Sequence, residues 1–464
     1  MKKKVCFAVL VALWMTVPFN GRADEAYPST YEPLPSRPTL IVNATLLTGT
    51  GQRIPNGSLL MSEGRISRIG EGSPAVSGGQ ADVIDAERRW VTPGLIDVHS
   101  HLGVYSSPGV NAHSDGNEMT APVTAQVWAE HSVWPQDPGF SRALAGGVTS
   151  LQVLPGSANL IGGRGVTLKN VPSLSYQGMK FPGAPHGLKM ACGENPKRVY
   201  GERNQAPSTR MGNVAGYRAE WIAAHKYIRD WEEYEQRKAE NDSTDLAGLA
   251  VTPVRDLKLE TLAAVLKGEI LVHMHCYRAD EMLTILDMAK EFGYRVSAFH
   301  HGVEAYKIAD KLAAAGVCGA LWADWWGFKA EAYDGIQENI ALVDRPAGSC
   351  SIVHSDSAEG IQRLNQEAAK AMSRGQRVGL DVPPERAIRW ITANAARSLG
   401  ILEQTGTLEP GKMADVVIWN GNPFSVYALA DQVFIDGALL YDRHDPARQP
   451  VSDFELGQQP GKAP

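Results

Sequence analysis

The stretch VTPGLIDVHSH, residues 91–101, decides most of the fold. Alternate side chains of a β-strand share a face, so Asp97, His99 and His101 point one way and the apolar residues between them point the other. Two imidazoles on one face at the end of a strand can bind a cation from the same side. We therefore predict a buried strand with a metal-binding carboxyl end.

The segment around this strand, residues 91–403, alternates short apolar runs with helical segments. This alternation predicts an α/β protein with a parallel sheet of βα units, and eight strands are the number that a closed (β/α)8 TIM barrel requires. The predicted strands are Leu95–His99, Val148–Val153, Val166–Lys169, Leu188–Ala191, Ile270–His275, Val296–Phe299, Cys318–Trp322 and Ser351–Ser355.

Both ends of the chain are rich in strand-like alternation interrupted by turn residues, over residues 38–90 and 404–445. Each end is too short for a sandwich of its own, so we predict that they pair in one small β-sandwich-like domain. Residues 24–37 are expected to be a loose mature amino terminus and residues 446–464 a tail. A charged helical insertion is predicted at about 196–248.

The first 23 residues have the character of a signal peptide. Lys2–Lys4 supply a positive start, Val5–Met15 is an unbroken apolar run, and Ala23 is a small residue at a plausible cleavage point. The run is too short to span a bilayer, and no later segment approaches 18 apolar residues. We expect a periplasmic or secreted protein with no membrane insertion after signal cleavage.

Composition excludes several classes of protein. Apolar residues make up 44% of the 464 residues and charged residues 21%, which excludes wholesale disorder. The 45 Lys and Arg against 51 Asp and Glu give a net charge of −6, which argues against a nucleic-acid partner. The expected partner is a small-molecule substrate, and a homo-oligomer is compatible with the composition.

The four cysteines beyond the predicted signal peptide are dispersed along the chain, and none forms a CxxC pair. Their spacing excludes a small disulfide scaffold and favours small buried hydrophobic residues, although the sequence leaves pairing open. They are Cys192, Cys276, Cys318 and Cys350.

Later predicted strands also end in polar residues. Lys189 lies between apolar neighbours on its strand, where burial would remove water from its ammonium group and lower its pKa. A lone core histidine is common, but a set of such groups at successive strand ends indicates one shared site. The other members of this set are His273, His275, His300, His301, His354 and Asp356.

These motifs resemble the amidohydrolase superfamily, in the branch grouped with imidazolonepropionase-related hydrolases. Besides residues 91–101, the resemblance rests on Leu188–Met190, His301–Lys307, His354–Asp356 and Gly406–Asp415. It covers nearly the whole mature chain and is specific for the fold and the metal site, but not for the substrate.

The resemblance implies a binuclear centre of two divalent metal ions, with zinc as the expected metal. His99 and His101 would hold the more buried ion together with Asp356, and Lys189, carboxylated to a carbamate, would bridge both ions. His275 and His301 would hold the second ion. A metal-bridging hydroxide would then attack the substrate, and Asp356 would be the catalytic residue that moves the proton.

Two neighbouring choices stay open in this assignment. His273 shares a face with His275, and the distance from His275 to residues 278–281 favours His275. His300 precedes His301, and the adjacent Gly302 favours His301. The HxxE motif of deaminase-like members is missing after His275, which argues against a mononuclear deaminase.

Substrate-binding candidates lie on the predicted loops after the strands, which form the rim of a barrel's active site. Arg198 or Arg278 could bind a substrate carboxylate, although a salt bridge is the plainer role for either. Trp322, Trp325 and Trp326 could form the floor of a pocket or could simply pack. The remaining candidates are Asp115, Asn117, Glu118, Tyr200 and Tyr277.

The predicted function is an exported, metal-dependent amidohydrolase acting on an amide, peptide or cyclic amide that carries a carboxylate. One alternative is a mononuclear deaminase or imidazolonepropionase-like ring opener, in which Lys189 would stay unmodified. A second is a non-catalytic periplasmic binding protein that kept the barrel.

Overall fold

The computed structural model describes residues 26–72, 81–240 and 251–450. The predicted signal peptide lies outside these ranges, as do residues 241–250 of the predicted insertion and 451–464 of the predicted tail. Within the described ranges, no helix has the length and apolar character that crossing a membrane requires.

The described strands form two eight-stranded sheets. The first combines both ends of the chain: β1 (Thr39–Leu47), β2 (Arg53–Ser62), β3 (Arg65–Glu71), β4 (Asp82–Asp85), β5 (Trp90–Pro93), β14 (Val416–Trp419), β15 (Ala430–Ile435) and β16 (Ala438–Asp442). The second is the barrel: β6 (Leu95–Ser100), β7 (Val148–Val153), β8 (Ile161–Lys169), β9 (Gly187–Ala191), β10 (Leu271–Cys276), β11 (Val296–His301), β12 (Cys318–Leu321) and β13 (Ser351–Val353).

The composite sheet joins the two ends through β5 and β14, which pair antiparallel with Thr92 opposite Val417. Its strand order is β16-β15-β14-β5-β1-β2-β3, with β4 also paired to β1. Buried apolar residues such as Ile41, Val91 and Ile418 form its own core. The prediction of a barrel with a small β domain made from both chain ends is confirmed.

One feature of the barrel differs from the predicted row of parallel βα units. β8 runs antiparallel to both β7 and β9, so the barrel is mixed. The connection between β7 and β8, residues 154–160, contains no helix. A parallel return requires a crossover of about a dozen residues or more, and this connection is too short for one.

Helices flank the barrel strands, and the longest described one, α3 (Arg210–Glu240), lies in the predicted helical insertion. Its residues Trp221 and Ala224 are buried, and the Trp221 ring stacks on Tyr294 at 4.5 Å between centroids. The α-helices are α1 (Pro138–Ala145), α2 (Glu194–Gly201), α3 (Arg210–Glu240), α4 (Leu257–Leu266), α5 (Ala279–Phe292), α6 (Ala309–Ala315), α7 (Asn339–Val343), α8 (Leu364–Arg377), α9 (Pro384–Ala387) and α10 (Ala393–Ser398).

The four cysteines are buried, as expected, but they are paired rather than free. Cys192 directly follows β9, and Cys276 is the last residue of the adjacent strand β10. They form one disulfide, with Cα atoms 5.2 Å apart. Cys318 and Cys350 form the other across the starts of β12 and β13, with Cα atoms 4.5 Å apart. The parallel register of neighbouring strands produces both short distances, which the sequence spacing alone does not reveal.

Side chains close the barrel between its first and last strands. The Asp97 carboxylate on β6 accepts hydrogen bonds from the backbone N–H of His99 and from both the N–H and the hydroxyl of Ser355, after β13. The N–H of Asp356 donates to the His99 carbonyl at 3.0 Å. These bonds hold Asp356 against His99 at the end of β6.

A buried lysine joins the barrel to the composite sheet. Lys169, at the end of β8, has no exposed surface, and its Nζ lies 3.2 Å from Asp415 Oδ1 and 2.5 Å from Asp436 Oδ2. Tyr31 donates its hydroxyl to the same Asp436 carboxylate. Burial, together with the nearby Asp415, raises the pKa of Asp436, so the ammonium group of Lys169 compensates two closely placed acids.

Replacing this lysine should destabilise the fold. We expect Lys169→Met to lower the free energy of unfolding by about 3–5 kcal/mol, because two buried carboxylates lose their cation. Denaturant unfolding measures the change, and Lys290→Met, at an exposed ion pair with Asp287, should cost less than about 1 kcal/mol. A Lys169→Met protein as stable as the native one would contradict this role.

Candidate metal centre

The carboxyl ends of five barrel strands converge and bring the predicted metal ligands together. Barrel strands end at one rim, which is where active sites of this architecture lie. His101 and Asp356 are about one-fifth exposed, and the others are buried. The predicted ligands are His99 on β6, His101 after it, Lys189 on β9, His275 on β10, His301 at the end of β11 and Asp356 after β13.

Asp356 is the carboxylate around which three of the imidazoles gather. Its Oδ1 lies 3.1 Å from His101 Nε2 and 3.5 Å from His99 Nε2, and its Oδ2 lies 4.0 Å from His301 Nδ1. His99, His301 and Asp356 each offer a ligand atom within 4.8 Å of the others. Burial raises the pKa of Asp356, but the hydrogen bond from His101 and the neighbouring cationic groups outweigh it and lower the pKa overall.

Lys189 faces the same centre from β9. Its Nζ lies 3.0 Å from His99 Nε2, and the residue has no exposed surface. Burial lowers the pKa of its amine to about 8, because the charged form loses its hydration. A deprotonated amine is therefore accessible near neutrality, as a nucleophile or as the precursor of a carbamate.

His275 and His301 carry nitrogen atoms that nothing in the described protein satisfies. Both ring nitrogens of His275 and Nδ1 of His301 are buried without a hydrogen-bond partner, and the two rings lie 4.5 Å apart between centroids. Leaving a buried polar group unpaired costs about 1–3 kcal/mol. Burial also lowers the pKa of both imidazoles, and the neutral form is the one that binds metal. The donor set thus fits divalent metal ions.

The two alternative histidines have other partners. His300 Nδ1 lies 3.0 Å from His99 Nδ1, and His300 Nε2 lies 2.9 Å from His273 Nδ1. Hydrogen bonding therefore occupies His273 and His300, whereas His275 and His301 remain available. This difference supports the choice made from the sequence.

His354 is a further buried imidazole beside the centre. Neither of its ring nitrogens has a hydrogen-bond partner among the described residues, and burial lowers its pKa to about 3. It offers a ligand atom within 4.8 Å of those of His99 and His300. The sequence placed it among the polar groups at the strand ends, but the resemblance gave it no role as a ligand.

Two residues of the centre hold a backbone conformation that side chains other than glycine rarely adopt. His301 has φ of 73° and Asp356 has φ of 50°, both in the left-handed region. Such conformations cost about 1–3 kcal/mol and cluster where a side chain must be aimed at a functional site. Both turns occur where a barrel strand ends.

A cavity of about 1000 Å³ opens above the centre. Trp322 covers one side, with its ring stacked on His301 at 4.2 Å between centroids. The sequence left Trp322, Trp325 and Trp326 between a pocket floor and simple packing, and all three line this cavity. The lining also includes Tyr105, Asn117, Met119, Arg198, Tyr277, Phe328 and Lys329, together with His101, His275, His301 and Asp356.

Three of the predicted substrate-binding residues therefore reach the cavity: Asn117, Arg198 and Tyr277. Arg198, on α2, is exposed and makes no ion pair with the described residues, so its guanidinium is free to bind an anion. Asn117 is held by its amide, which donates to Asn159 at 2.5 Å.

The other four candidates do not line the cavity, and we leave them out of the proposed substrate site. Tyr200 is fully buried on α2 and donates its hydroxyl to the Ala121 carbonyl of the first loop at 2.6 Å. Arg278 forms a bidentate ion pair with the neighbouring Asp280. The last two, Asp115 and Glu118, are exposed on the first loop.

Sequence reasoning missed one cation of the cavity wall. Lys329 has its Nζ 3.9 Å from the centre of the Tyr277 ring and 3.0 Å from Asn195 Oδ1. Glu194 and Glu331 lie 3.6 and 3.7 Å from the same nitrogen and balance its charge. No motif marks this lysine, which follows the aromatic run of its loop.

Known proteins resemble this chain in sequence and in structure. It is 36% identical to an amidohydrolase from Thermotoga maritima MSB8, whose crystal structure superimposes with a TM-score of 0.78. The match covers 87% of this chain and 100% of the Thermotoga maritima chain. This chain is 32% identical to the amidohydrolase tasK of Hapsidospora irregularis over 88% of its own length, but it spans only 43% of that relative. An imidazolonepropionase of Mesorhizobium japonicum is 26% identical, over 79% of this chain and 87% of the relative.

The profile of the amidohydrolase family matches residues 90–440, which include the whole barrel, β14, β15 and the first residues of β16. Members of this family with named activities that match this chain are hydrolases acting on C–N bonds. With its barrel, its composite sheet and its histidine-rich centre, this chain belongs to the amidohydrolase family.

Proposed function

We propose that this protein is an exported, metal-dependent amidohydrolase that cleaves the C–N bond of an amide, peptide or cyclic amide carrying a carboxylate. The observation that carries the proposal is the group of buried imidazole nitrogens without partners beside Lys189 and Asp356. Neutral imidazoles and a carboxylate are the ligands that suit zinc among the common divalent ions.

The proposed centre holds two ions. His99, His101 and Asp356 would bind one, His275 and His301 would bind the other, and a carbamate on Lys189 would bridge them. When bound, the two cations would lower the pKa of a water molecule and polarise the scissile carbonyl group.

The position of Lys189 supports the binuclear arrangement. An ammonium group 3.0 Å from His99 Nε2 would repel a cation held there, whereas a carbamate supplies two anionic oxygens. The low pKa of the buried amine provides the neutral form that reacts with carbon dioxide. Full burial then keeps the carbamate away from bulk water.

Asp356 is the proposed catalytic acid and base. His101 holds its carboxylate, and its lowered pKa keeps it ionised near neutrality, ready to accept a proton from water. Because it lines the cavity, it can pass that proton to the nitrogen of the leaving amine.

The cavity wall supports a substrate with a carboxylate and an apolar group. Arg198 offers an unpaired guanidinium, which binds carboxylates through two parallel hydrogen bonds. Tyr277, Trp322 and Trp325 give the same cavity broad aromatic surfaces. The charge of Lys329 is balanced by acids, so we assign the carboxylate to Arg198.

Export is supported by two observations of different kinds. The first 23 residues have the pattern of a signal peptide. The two disulfides, Cys192–Cys276 and Cys318–Cys350, are bonds that persist in oxidising compartments such as the bacterial periplasm.

The experiment that tests the function is elemental analysis of the purified protein, followed by a screen of dipeptides, N-acyl amino acids and cyclic amides. Each acid is paired with its uncharged amide. Hydrolysis of one class with about two metal ions per chain supports the proposal. Deamination or ring opening with a single metal ion would favour the mononuclear alternative. That alternative includes an imidazolonepropionase-like activity, and an imidazolonepropionase is among the relatives of this chain.

Zinc should stabilise the fold through His301. At a Zn²⁺ concentration one hundred times the Kd, the free energy of unfolding of the metal-depleted protein should rise by about 2.7 kcal/mol. The rise should be much smaller in His301→Asn and unchanged in His444→Asn, whose imidazole is 65% exposed on the composite sheet. Thermal unfolding with and without Zn²⁺ measures it, and equal stabilisation of all three proteins would remove His301 from the site.

Lys189→Ala should reduce the metal content from about two ions per chain to one or fewer, because only a binuclear centre requires the bridge. Turnover should fall with it, and short carboxylic acids added to the buffer should restore part of it by filling the gap. Elemental analysis measures the content. Two ions retained in Lys189→Ala would show that the lysine is only a core residue.

Asp356→Asn should lower kcat by at least about a hundredfold, the lower end of what general acid–base catalysis contributes. The amide keeps the shape of the side chain, so the far-ultraviolet circular dichroism should match that of the native protein. Asp324→Asn, at a carboxylate of the cavity wall paired with Lys370, is the matched control and should retain most activity. Near-normal turnover in Asp356→Asn on a confirmed substrate would exclude the proposed role.

A further inference from the structure

Behind the proposed metal ligand His99, two more histidines and a glutamine extend an unbroken chain of hydrogen bonds. His99 Nδ1 lies 3.0 Å from His300 Nδ1, and His300 Nε2 lies 2.9 Å from His273 Nδ1. His273 Nε2 then lies 3.3 Å from Nε2 of Gln152, on β7. All four side chains have 0–1% of their surface exposed, so these contacts are shielded from bulk water.

The last contact of this chain is closely packed. A Cβ atom at Gly187, on β9, would lie 2.6 Å from Gln152 Nε2 and 2.9 Å from His273 Cδ2. Only glycine leaves room there for the glutamine to reach the histidine. The contact is thus built by β7 together with the neighbouring strands β9 and β10, across the barrel interior from β7 past β8.

The direction of each hydrogen bond in this row of four side chains is fixed by the direction of the one before it. A neutral imidazole donates from one nitrogen and accepts at the other, so the direction of one bond fixes that of the next. If His99 binds metal through Nε2, its proton lies on Nδ1 and is donated to His300. His300 then donates from Nε2 to His273, which donates from its own Nε2 to Gln152.

Only the amide oxygen of Gln152 can accept that last bond. Its Oε1 is buried without a hydrogen-bond partner, and a half-turn of the amide group brings it to the position of Nε2. With the amide nitrogen facing His273 instead, every bond reverses and the proton lies on His99 Nε2. That nitrogen then has no lone pair for a metal ion.

We propose that Gln152 is a positioning residue that sets the tautomer of His99 through His273 and His300, and thereby controls how tightly the centre binds metal. When Oε1 faces His273, the hydrogen bonds leave the lone pair of His99 Nε2 free for a metal ion. When Nε2 of Gln152 faces His273, the bonds reverse and His99 Nε2 carries a proton. This inference rests on the role of His99 in the proposed function.

The test compares Gln152→Met with Gln152→Glu in the full chain. Methionine has a similar length but no strong acceptor, whereas glutamate keeps an oxygen at the required place. We expect the Zn²⁺ Kd of the metal-depleted protein, measured by competition with a chelator, to rise about 10- to 100-fold in Gln152→Met, the range for lost support of a metal-binding histidine. Gln152→Glu should retain most of the affinity.

Ser150→Ala is the matched control, because Ser150 is a buried polar residue two positions earlier on the same face of β7. It should leave the Zn²⁺ Kd unchanged. An unfolding curve for each variant separates a loss of affinity from a loss of folding. An unchanged Kd in Gln152→Met would overturn the proposal.

A second measurement needs no variant. In the Zn²⁺-bound native protein labelled with ¹⁵N-histidine, the ring nitrogen shifts should place the protons of His273 and His300 on Nε2. A proton on Nδ1 of His273 would overturn the proposal. If the native protein binds no Zn²⁺, the proposed function itself fails. If the native protein binds Zn²⁺ and is active, but Gln152→Met has the native Zn²⁺ Kd, only this inference is rejected.

Discussion

The carboxylate of Asp97 is the group on which the geometry of the centre depends. The first and last barrel strands are joined here by side-chain bonds, because Asp97 accepts from His99 and twice from Ser355. Burial raises the pKa of Asp97 to about 7, against the effect of these hydrogen bonds. We call these bonds between β6 and Ser355 the Asp97 seam. Because the seam fixes Ser355, the next residue, Asp356, lies 3.1 Å from His101, where it can serve both as a ligand and as a base in the proposed mechanism.

The centre is also a cluster of buried polar groups that would destabilise the fold if no metal ion were bound. Water cannot reach the unpaired nitrogens of His275, His301 and His354, and each costs free energy while it stays unpaired. Two residues of the centre itself, His301 and Asp356, add strained backbone. A binding protein without a metal would gain stability by replacing these groups with apolar ones, so the set itself argues for a metal enzyme.

Sequence periodicity was informative where one face of a strand had to be apolar and the other polar. It placed His99 and His101 together and put Lys189 inside the barrel, and Gly94 of the same motif is required because a Cβ there would lie 2.0 Å from Thr149 Oγ1. Periodicity carries no direction, however, so it could not show that β8 runs antiparallel. It also could not separate His273 from His275, since both share a face. The distance to residues 278–281 favoured His275, and the structure adds that His273 is occupied by His300 and Gln152.

Loops follow no such period, and the substrate side of the centre was correspondingly harder to predict. Tyr200 turns inward to a carbonyl group and Arg278 turns to its neighbour Asp280, whereas Arg198 stays unpaired on the cavity wall. Which of these a substrate meets depends on how the loops pack against one another, which a single sequence does not encode in any local pattern.

The barrel divides its tasks among strands in a way that separates metal binding from substrate choice. β12 supplies no proposed metal ligand, but the residue after it, Trp322, stacks on His301 at 4.2 Å and begins the aromatic wall of the cavity. β7 likewise supplies no ligand, and its Gln152 supports His99 from behind. Substitutions in the loop after β12 can therefore reshape the cavity while the histidines and Asp356 stay in place, because those ligands are fixed by other strands and by the Asp97 seam. The same separation allows one chemistry, C–N bond hydrolysis, to be directed to different substrates on a single type of barrel.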